Sequence, residues 1–391
     1  MGEWKECKLK TLGRVVTGKT PSRNNPEDWG IVMPFVTPSD YKKYRKKAYF
    51  SERNLSKEGV QRLKNKVLPP KSVLVTCIGS DMGKVVMNEI EVITNQQINS
   101  VIPHKEVDNN FLYYSLVYMY DILRVYGGDG TAVPIINKGD FENIETLLPP
   151  LPEQKAIASV LACLDDKIDL LHRQNKTLEA MAETLFRQWF VEEAKEDWEE
   201  DSLLRLVQLV GGGTPKTSIL DYWDGNIPWL AGGDIASNHK SFVLNTEKRI
   251  TENGLNNSSA KLLPKYATVI SARGTVGKYS LLAQPMAFSQ SNYGILPRID
   301  NCFFFTYLLI NYVVEELQSS AYGSVFDTIT TTTFKENKVP VPTESEIRSF
   351  EDLVSLYFHK IFQNKIQIGN LEKLRDVLLP KLMSGEVRLK I

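Results

Sequence analysis

The sequence predicts an α+β protein in which two similar mixed α/β domains are joined by two long antiparallel helices, with pseudo-two-fold symmetry. Two observations predict this arrangement: an internal repeat offset by about 194 residues, and a long heptad pattern of apolar residues after each copy of the repeat. A chain of 391 residues suits two or three domains of about 100–200 residues each. The 42% of hydrophobic and 10% of aromatic residues are enough to form packed cores.

The repeat keeps one ungapped register through most of each copy. The aligned residues are Trp4 with Trp198, Thr20-Pro21 with Thr214-Pro215, Trp29 with Trp223, Pro34 with Pro228, Asp40 with Asp234, Pro70-Lys71 with Pro264-Lys265, Gly83-Lys84 with Gly277-Lys278, Gln96 with Gln290, and Pro103 with Pro297. Because this period far exceeds the roughly 20–50 residues of a solenoid repeat, each copy is predicted to be a whole domain. Trp29, Trp223, Phe35 and Trp229 are assigned to the domain cores.

Each copy mixes short β-rich runs with turns and one helix, and then stops at a proline-containing segment. In the first copy the β-rich runs are 72–78 and 90–94, the turns include 22–26 and 127–130, and the helix is 110–125. Pro149, Pro150 and Pro152 end the first domain and can open a helix. The predicted boundaries are 1–150 for the first domain, 151–195 for the central helix, 196–342 for the second domain and 343–391 for the C-terminal helix.

Both long helices carry an apolar heptad seam that is interrupted by polar residues. The first seam is Leu161, Leu164, Ile168, Leu171, Asn175, Leu178, Ala182, Leu185 and Trp189, and the second is Val354, Tyr357, Ile361, Asn364, Ile368, Leu371, Arg375, Leu378 and Leu382. Matching seams favour packing of the two helices against each other over packing of each on its own domain. Antiparallel pairing about a two-fold axis would bring Asn175 and Asn364 to facing levels, and we expect these side chains to contact each other and fix the register.

The bulk composition excludes several classes of protein. Lys and Arg together number 47, as do Asp and Glu, so any nucleic-acid surface must be local or shared with a partner. Four scattered cysteines without a CxxC pair, and four dispersed histidines, predict a reducing compartment, no metal site and no cofactor. The N-terminus lacks a signal-peptide core, and the longest apolar run, 302–314, is too short to span a membrane. A soluble cytoplasmic protein is expected.

The motifs bear on three enzymatic alternatives: an ATPase, an amino-methyltransferase and a nuclease. Residues 13–20 match the phosphate-binding pattern GxxxxGK[ST], but Pro21 follows at once and no helix is predicted where the motif needs one. The Pro-Pro pairs at 69–70 and 149–150 lack the polar residue that an amino-methyltransferase places beside them. Paired carboxylates with nuclease-like spacing are absent as well. The sequence therefore predicts a chain without catalytic residues, and a stand-alone DNA enzyme or ATPase is the less favoured alternative.

Several motifs resemble the specificity (S) subunits of type I restriction-modification enzymes. They are LPPLPEQ at 148–154, LFRQWF at 185–190, LLPKLMSGE at 378–386, GGTP at 212–215 followed by IPW at 227–229, and SARGTVG at 271–277. The resemblance implies two target recognition domains that each read half of a bipartite DNA site, with the helices as a ruler between them. It also implies docking of two methyltransferase (M) subunits that use S-adenosylmethionine, and of restriction (R) subunits through the complex. A pure assembly scaffold without sequence preference is a third possibility.

Candidate DNA-binding residues follow from this reading. Lys42, Lys43, Arg45, Lys46, Lys84 and Lys278 suit phosphate contacts, which are sensitive to salt and carry no sequence information. Asn95, Gln96, Gln97, Gln290 and Asn292 suit either adenine recognition or hydrogen bonds within their own turn. Arg273 suits guanine, or an ion pair with Asp224 or Asp234. Thr20, Thr214, Lys216 and Thr275 complete the predicted set. The copies differ at 17–21 and 78–83, which predicts two different half-sites.

Overall fold

The computed structural model describes residues 3–128, 134–322 and 328–389, so part of the predicted turn at 127–130 lies outside the described residues. The chain divides into two compact units. Unit 1 consists of Met1–Asp169 with Asn370–Ile391, and unit 2 is Leu170–Gly369. Each unit therefore contains one copy of the repeat together with a segment of each long helix.

The elements of the first copy, with the long helix that follows it, occur in this order: β1 Lys5–Lys8, α1 Leu9–Leu12, β2 Gly13–Thr17, β3 Trp29–Gly30, β4 Met33–Val36, β5 Lys47–Ala48, β6 Asn54–Leu55, α2 Lys57–Arg62, β7 Val73–Thr76, β8 Val85–Asn88, β9 Ile93–Thr94, β10 Ile98–Pro103, α3 Asn109–Tyr118, α4 Tyr120–Tyr126, α5 Lys138–Asn143, β11 Glu145–Leu148 and α6 Leu151–Arg187. Short 3₁₀ helices lie at Pro26–Asp28, Pro38–Lys43 and Lys64–Lys66. A π-helical turn, Gln188–Glu192, closes α6.

The second copy continues with β12 Glu200–Ser202, β13 Val207–Gly211, β14 Trp223–Leu230, α7 Gly232–Ser237, β15 Phe242–Val243, β16 Lys248–Ile250, α8 Glu252–Asn256, β17 Leu262–Leu263, β18 Thr268–Ser271, β19 Tyr279–Leu282, β20 Met286–Phe288, β21 Asn292–Pro297, α9 Phe303–Tyr322, α10 Thr331–Glu336, β22 Lys338–Pro340 and α11 Glu344–Met383. Its 3₁₀ helices are Leu203–Arg205 and Leu220–Tyr222.

The five-stranded sheets of the two copies have the same topology, as the repeat predicts. Unit 1 has a five-stranded sheet in the order β2-β10-β7-β8-β5, and unit 2 has β13-β21-β18-β19-β15. A four-stranded sheet accompanies each, β3-β6-β4-β9 in unit 1 and β16-β14-β20-β17 in unit 2. The pair β1-β11 in unit 1 corresponds to β12-β22 in unit 2. The mixed α/β nature of both domains is thereby confirmed.

Each core lies between the five-stranded sheet and a helix that packs across it. All four residues of β7 and of β8 are buried, as β-branched and apolar side chains in the middle of a covered sheet should be. Helix α3 begins at Asp108, whose side chain accepts a hydrogen bond from the Phe111 amide, and α9 takes its place in unit 2. The predicted core aromatics form matching edge-to-face pairs, Trp29 with Phe35 and Trp223 with Trp229.

The residues of both predicted seams are buried or half-buried on the long helices. Helix α6 has 37 residues and α11 has 40. In unit 2, Phe186 packs against Phe350 while Asn364 donates a hydrogen bond to Asn175 at 2.8 Å, so these helix segments run antiparallel. The predicted Asn175–Asn364 contact is confirmed. Within the part of the chain that the structure describes, no helix is long and apolar enough to cross a membrane.

Candidate nucleic-acid interface

The predicted contact residues of unit 2 gather at one edge of its five-stranded sheet. Strands β13 and β18 end at this edge, and β21 and β19 begin there. Backbone bonds tie the connecting loops together: the Ala272 amide donates to the Ser291 carbonyl at 2.9 Å, and the Gly213 amide donates to the Phe288 carbonyl at 2.9 Å. We call this set of loops the loop edge of unit 2. It carries Thr214, Lys216, Arg273, Thr275, Lys278, Gln290 and Asn292.

The equivalent loops meet at the same edge of unit 1. The Lys19 amide donates to the Thr94 carbonyl at 2.9 Å, and the Cys77 amide donates to the Gln97 carbonyl at 2.7 Å. At the tip, the Thr20 hydroxyl donates to Oε1 of Gln96 at 2.5 Å. The loop edge of unit 1 carries Thr20, Lys84, Asn95, Gln96 and Gln97. Residues far apart in sequence are thus assembled in both copies.

At each loop edge one glutamine is exposed, and a nearby asparagine forms a hydrogen bond within the turn. Gln96 and Gln290 both lie at the surface. Asn95 is 8% exposed and Asn292 is 1% exposed. Asn95 donates to Oε1 of Gln97 at 2.8 Å, and Asn292 donates to the Ser289 hydroxyl at 2.8 Å. Of the two roles expected for Asn95 and Asn292, the structure shows hydrogen bonds within the turn, and adenine recognition by these two residues stays a prediction.

The turn before each Gly-Lys pair depends on glycine. Gly83 and Gly277 have φ of +90° and +79°, which side chains with a Cβ rarely adopt. Lys84 forms an ion pair with Asp81 at 2.6 Å, and this hydrogen bond lowers the pKa of the Asp81 carboxyl. Arg273 is exposed on the same turn of unit 2. One of the two alternative partners considered for Arg273, Asp234, accepts hydrogen bonds from the amides of Ala231 and Glu247 at 2.8 and 3.1 Å.

The basic run at 42–47 is used mainly to seat the first domain on the helices. Arg45 pairs with Asp169 at 2.7 Å and with Glu372 at 3.5 Å, and Lys47 approaches Asp166 at 3.5 Å. Lys43, at the end of the 3₁₀ helix Pro38–Lys43, instead pairs with Glu52 of the same domain at 2.7 Å.

Lys46 is 4% exposed, and burial lowers its pKa. Its ammonium donates to the Tyr114 hydroxyl, which donates to Asp165 at 2.6 Å, and Asp165 also pairs with Arg375 at 3.0 Å. Lys46 is thus bonded inside the protein, whereas Arg45 is ion-paired but exposed, and the phosphate contacts expected of these two residues stay predictions. The only signal in the sequence that could have pointed to this pairing is the presence of Asp165 and Asp169 one helical turn apart on α6.

The second domain is seated through aromatic rings instead. Phe358 and Phe362 of α11 occupy the positions that Asp165 and Asp169 hold in the first copy. Phe358 stacks on Phe304 with ring centroids 4.7 Å apart, and Phe362 packs against Phe242 at 5.3 Å. Sequence reasoning did not single out these phenylalanines, because apolar residues on a long helix are expected to be buried for many reasons. We call the two arrangements the charged seat of unit 1 and the aromatic seat of unit 2.

The segment that matches a phosphate-binding loop has another role in the structure. Residues 13–17 form β2, and no helix follows at 18–25, which are among the described residues. The amides of Gly18 and Lys19 donate to the carbonyls of Ile98 and Thr94 at 3.1 and 2.9 Å. Because a phosphate-binding loop needs its amides free and a helix N-terminus behind them, these residues do not form one.

The helix pair of unit 2 carries an open apolar groove of about 580 Å³. Its lining includes Ala180, Met181 and Leu185 of α6 and Tyr357 of α11. Met181 is 43% exposed. Among the residues that the structure describes, no cluster of histidine, cysteine or acidic side chains could hold a metal ion.

Two copies of one α+β domain, each seated on paired helices and each presenting a polar loop edge, define a tandem two-domain recognition protein. The family model described as "Type I restriction modification DNA specificity domain" matches residues 1–180 and 195–368. The chain therefore belongs to the family of type I restriction-modification DNA specificity subunits, as the sequence resemblance predicted.

Two relatives and one solved structure illustrate what the chain is similar to. The type I restriction enzyme MjaIX specificity subunit of Methanocaldococcus jannaschii is 27% identical over 415 residues, covering 99% of this chain and 94% of that protein. The HindI specificity subunit of Haemophilus influenzae is 23% identical over 63% of this chain and 70% of its own length. A crystal structure of the type I restriction-modification S subunit from M. genitalium superimposes with a TM-score of 0.66 at 17% identity, covering 97% of this chain and 96% of that one. This last match supports the fold.

Proposed function

We propose that each unit reads one half of a bipartite, asymmetric site on double-stranded DNA, and that α6 and α11 set the spacing between the two halves. The observation that carries the proposal is the pair of loop edges, which share one backbone arrangement and differ in their side chains. Unit 1 presents Gly79 and Ser80 where unit 2 presents Arg273 and Gly274. Two domains that share a backbone but differ in their exposed side chains are suited to reading two different DNA sequences.

The exposed polar residues of the loop edges have separate roles in this proposal. Gln96 and Gln290 project from equivalent turns and suit bidentate recognition of adenine in the major groove. Arg273 suits the two acceptors of guanine. Lys42, Lys84, Lys216 and Lys278 suit phosphates, which fix the orientation of the protein on the duplex. The salt dependence of DNA affinity should then come from the lysines. The sequence preference should come from the glutamines and Arg273.

We further propose that the helices dock two methyltransferase subunits and that restriction subunits join through that complex. The groove beside Met181 and Tyr357 supports a protein partner, since its surface is mainly apolar and open to solvent. In this assembly the chain itself has no catalytic residue. Methyl transfer from S-adenosylmethionine to adenine is the chemistry of the M subunits, and this chain selects the adenine by its position on the DNA.

Co-expression of the chain with the M subunit of its own system, followed by genome-wide mapping of methylated adenines, tests the proposal. We expect one motif made of two unlike half-sites separated by a fixed number of unread bases. Gln290→Ala should relax one position of a single half-site. Gln284→Ala is the matched control, because Gln284 donates to the Leu244 carbonyl at the opposite end of the sheet. Methylation without any sequence preference would leave only a scaffold role for the chain.

A further inference from the structure

A further segment of chain, here called the strip, lies along the loop edge in each unit. It consists of residues 134–137 in unit 1 and residues 328–330 in unit 2. In unit 2 the Ile329 amide donates to the Ala272 carbonyl at 3.1 Å, beside the turn that carries Arg273. In unit 1 the Ile136 amide donates to the Cys77 carbonyl at 2.9 Å, and the Gly79 amide donates to the Pro134 carbonyl at 3.0 Å. These bonds fix the connection before α5, and the one before α10, against the turn at each loop edge.

In each unit the strip leads directly into a helix that is capped by the strip's own residue. Asn137 accepts a hydrogen bond from the Asp140 amide at 2.9 Å and caps α5. Thr330 accepts one from the Thr333 amide at 3.3 Å and caps α10 in the same way. Counting back from these caps, Ile135 of unit 1 and Thr328 of unit 2 occupy equivalent places, each one residue before the isoleucine that is bonded to the turn.

Ile135 is the apolar surface feature of this strip. Its side chain is 51% exposed, whereas the neighbouring Ile136 is 2% exposed. Ile135 also forms an isolated antiparallel bridge with Ile78, which carries it next to Gly79 and Ser80 at the tip of the turn. A branched apolar side chain held rigidly among polar loops is suited to contact an apolar group of a partner that is otherwise polar. On the major-groove edge of DNA that group is the C5-methyl of thymine.

We infer that Ile135 reads a thymine in the half-site of unit 1 through its C5-methyl group. The inference rests on the proposed DNA-reading role of the loop edges and adds the base and the chemical group that this position selects. Thr328, at the equivalent place in unit 2, presents a hydroxyl-bearing side chain, so the two units differ in base preference here as well as at Arg273.

The test uses the complex of this chain with its M subunit and duplexes that contain the mapped site. Each thymine of the unit 1 half-site is replaced in turn by deoxyuridine, which removes only the methyl group. With the wild-type chain, we expect one such replacement to weaken binding about three- to fivefold, as the loss of one buried methyl contact predicts. With Ile135→Ala, binding should no longer distinguish thymine from deoxyuridine at that position.

Ile90→Ala is the matched control, since Ile90 is 42% exposed and lies beyond β8 at the opposite end of the sheet. That variant should keep the full deoxyuridine effect. The inference is overturned if the half-site contains no thymine, if no replacement weakens binding, or if Ile135→Ala retains the effect. Each of these results leaves the bipartite site itself intact. A complex without any sequence preference would instead overturn the proposed function.

Discussion

Asn364 lies in the middle of the helix seam with its amide nitrogen bonded to Asn175 at 2.8 Å and to Gln174 at 2.9 Å. The side-chain oxygen of Asn364, Oδ1, is buried without a hydrogen-bond partner among the described residues. A buried pair of this kind costs stability, and in coiled coils it specifies register. The pair therefore fixes how α6 and α11 align more than it strengthens their contact.

Replacement of the pair should separate these two contributions. Asn175→Leu alone leaves the buried Asn364 amide without one of its acceptors and should lower the free energy of unfolding by about 1–3 kcal/mol. The double variant Asn175→Leu/Asn364→Leu should regain or exceed wild-type stability while populating other registers or oligomers. Urea denaturation and light scattering measure the two effects. A double variant that is less stable than both single variants would contradict the assignment.

Two glycines should respond in opposite directions to the same substitution. Gly277 has φ of +79°, so Gly277→Ala should destabilise the chain by about 1–2 kcal/mol. Gly369 lies inside α11, and an added Cβ would meet no atom within 4 Å. Gly369→Ala should therefore stabilise the chain by about 0.5–1 kcal/mol, since alanine loses less conformational entropy in a helix. Thermal denaturation of both variants against wild type gives the signs.

The residues also show where sequence reasoning stops. The repeat, the seams and the Asn175–Asn364 contact followed from periodicity, because spacing alone determines which side chains share a face of a helix. The ion pairs that the basic run at 42–47 forms with α6 could not be predicted in the same way. Its cations meet Asp165, Asp166 and Asp169 only after the chain folds, and a local charge count cannot see partners more than 100 residues away. The split among Asn95, Gln96 and Gln97 likewise depends on turn geometry.

At the scale of elements, Glu351 connects helix α11 to the N-terminus of α9. Its carboxylate accepts hydrogen bonds from the amides of Phe304 and Phe305 at 3.1 and 2.7 Å. Burial nevertheless raises its pKa from 4.5 to about 7. Glu179 on α6 has its pKa raised to about 7 as well, mainly by burial and then by the neighbouring Glu183. Both carboxyls belong to unit 2.

These shifts predict a pH dependence of stability. Because the folded-state pKa lies above the unfolded-state value, the folded chain binds protons that the unfolded chain releases between about pH 4.5 and 7. The stabilisation that the two protonated carboxyls give the folded chain is fully present below that window and is lost as pH rises through about 7. The urea midpoint should therefore be lower at pH 8 than at pH 5.5, and Glu179→Gln/Glu351→Gln should reduce the difference. An unchanged difference would assign the pH dependence to other groups.

The element scale also accounts for what the sequence predicted well. Strands β8 and β19, and helices α6 and α11, begin at positions related by the offset of the repeat, because the same apolar pattern and the same proline-containing stops recur in both copies. The pairing order of the strands was not predicted, since a run of buried β-branched residues fits many neighbours. The parallel pairs β5-β8 and β15-β19 are examples.

At the scale of the whole molecule, the proposed ruler role of the helices predicts the effect of an insertion. One heptad added to both α6 and α11 at the level of the asparagine pair keeps the seam in phase and adds about 10 Å at 1.5 Å per residue. That length corresponds to about three base pairs at about 3.4 Å each. Methylation mapping should show a longer gap between unchanged half-sites. Altered half-sites with an unchanged gap would contradict the ruler.

The charged seat and the aromatic seat have a consequence for how such chains can diversify. A first-copy domain transplanted to the second place would bring the buried Lys46 against Phe358 in place of Asp165. Uncompensated cations at such a surface carry a large desolvation cost. Recombination between related genes should therefore succeed when it exchanges first domains for first domains. The two domains have the same fold, but the residues by which each packs on the helices fit only its own place in the chain.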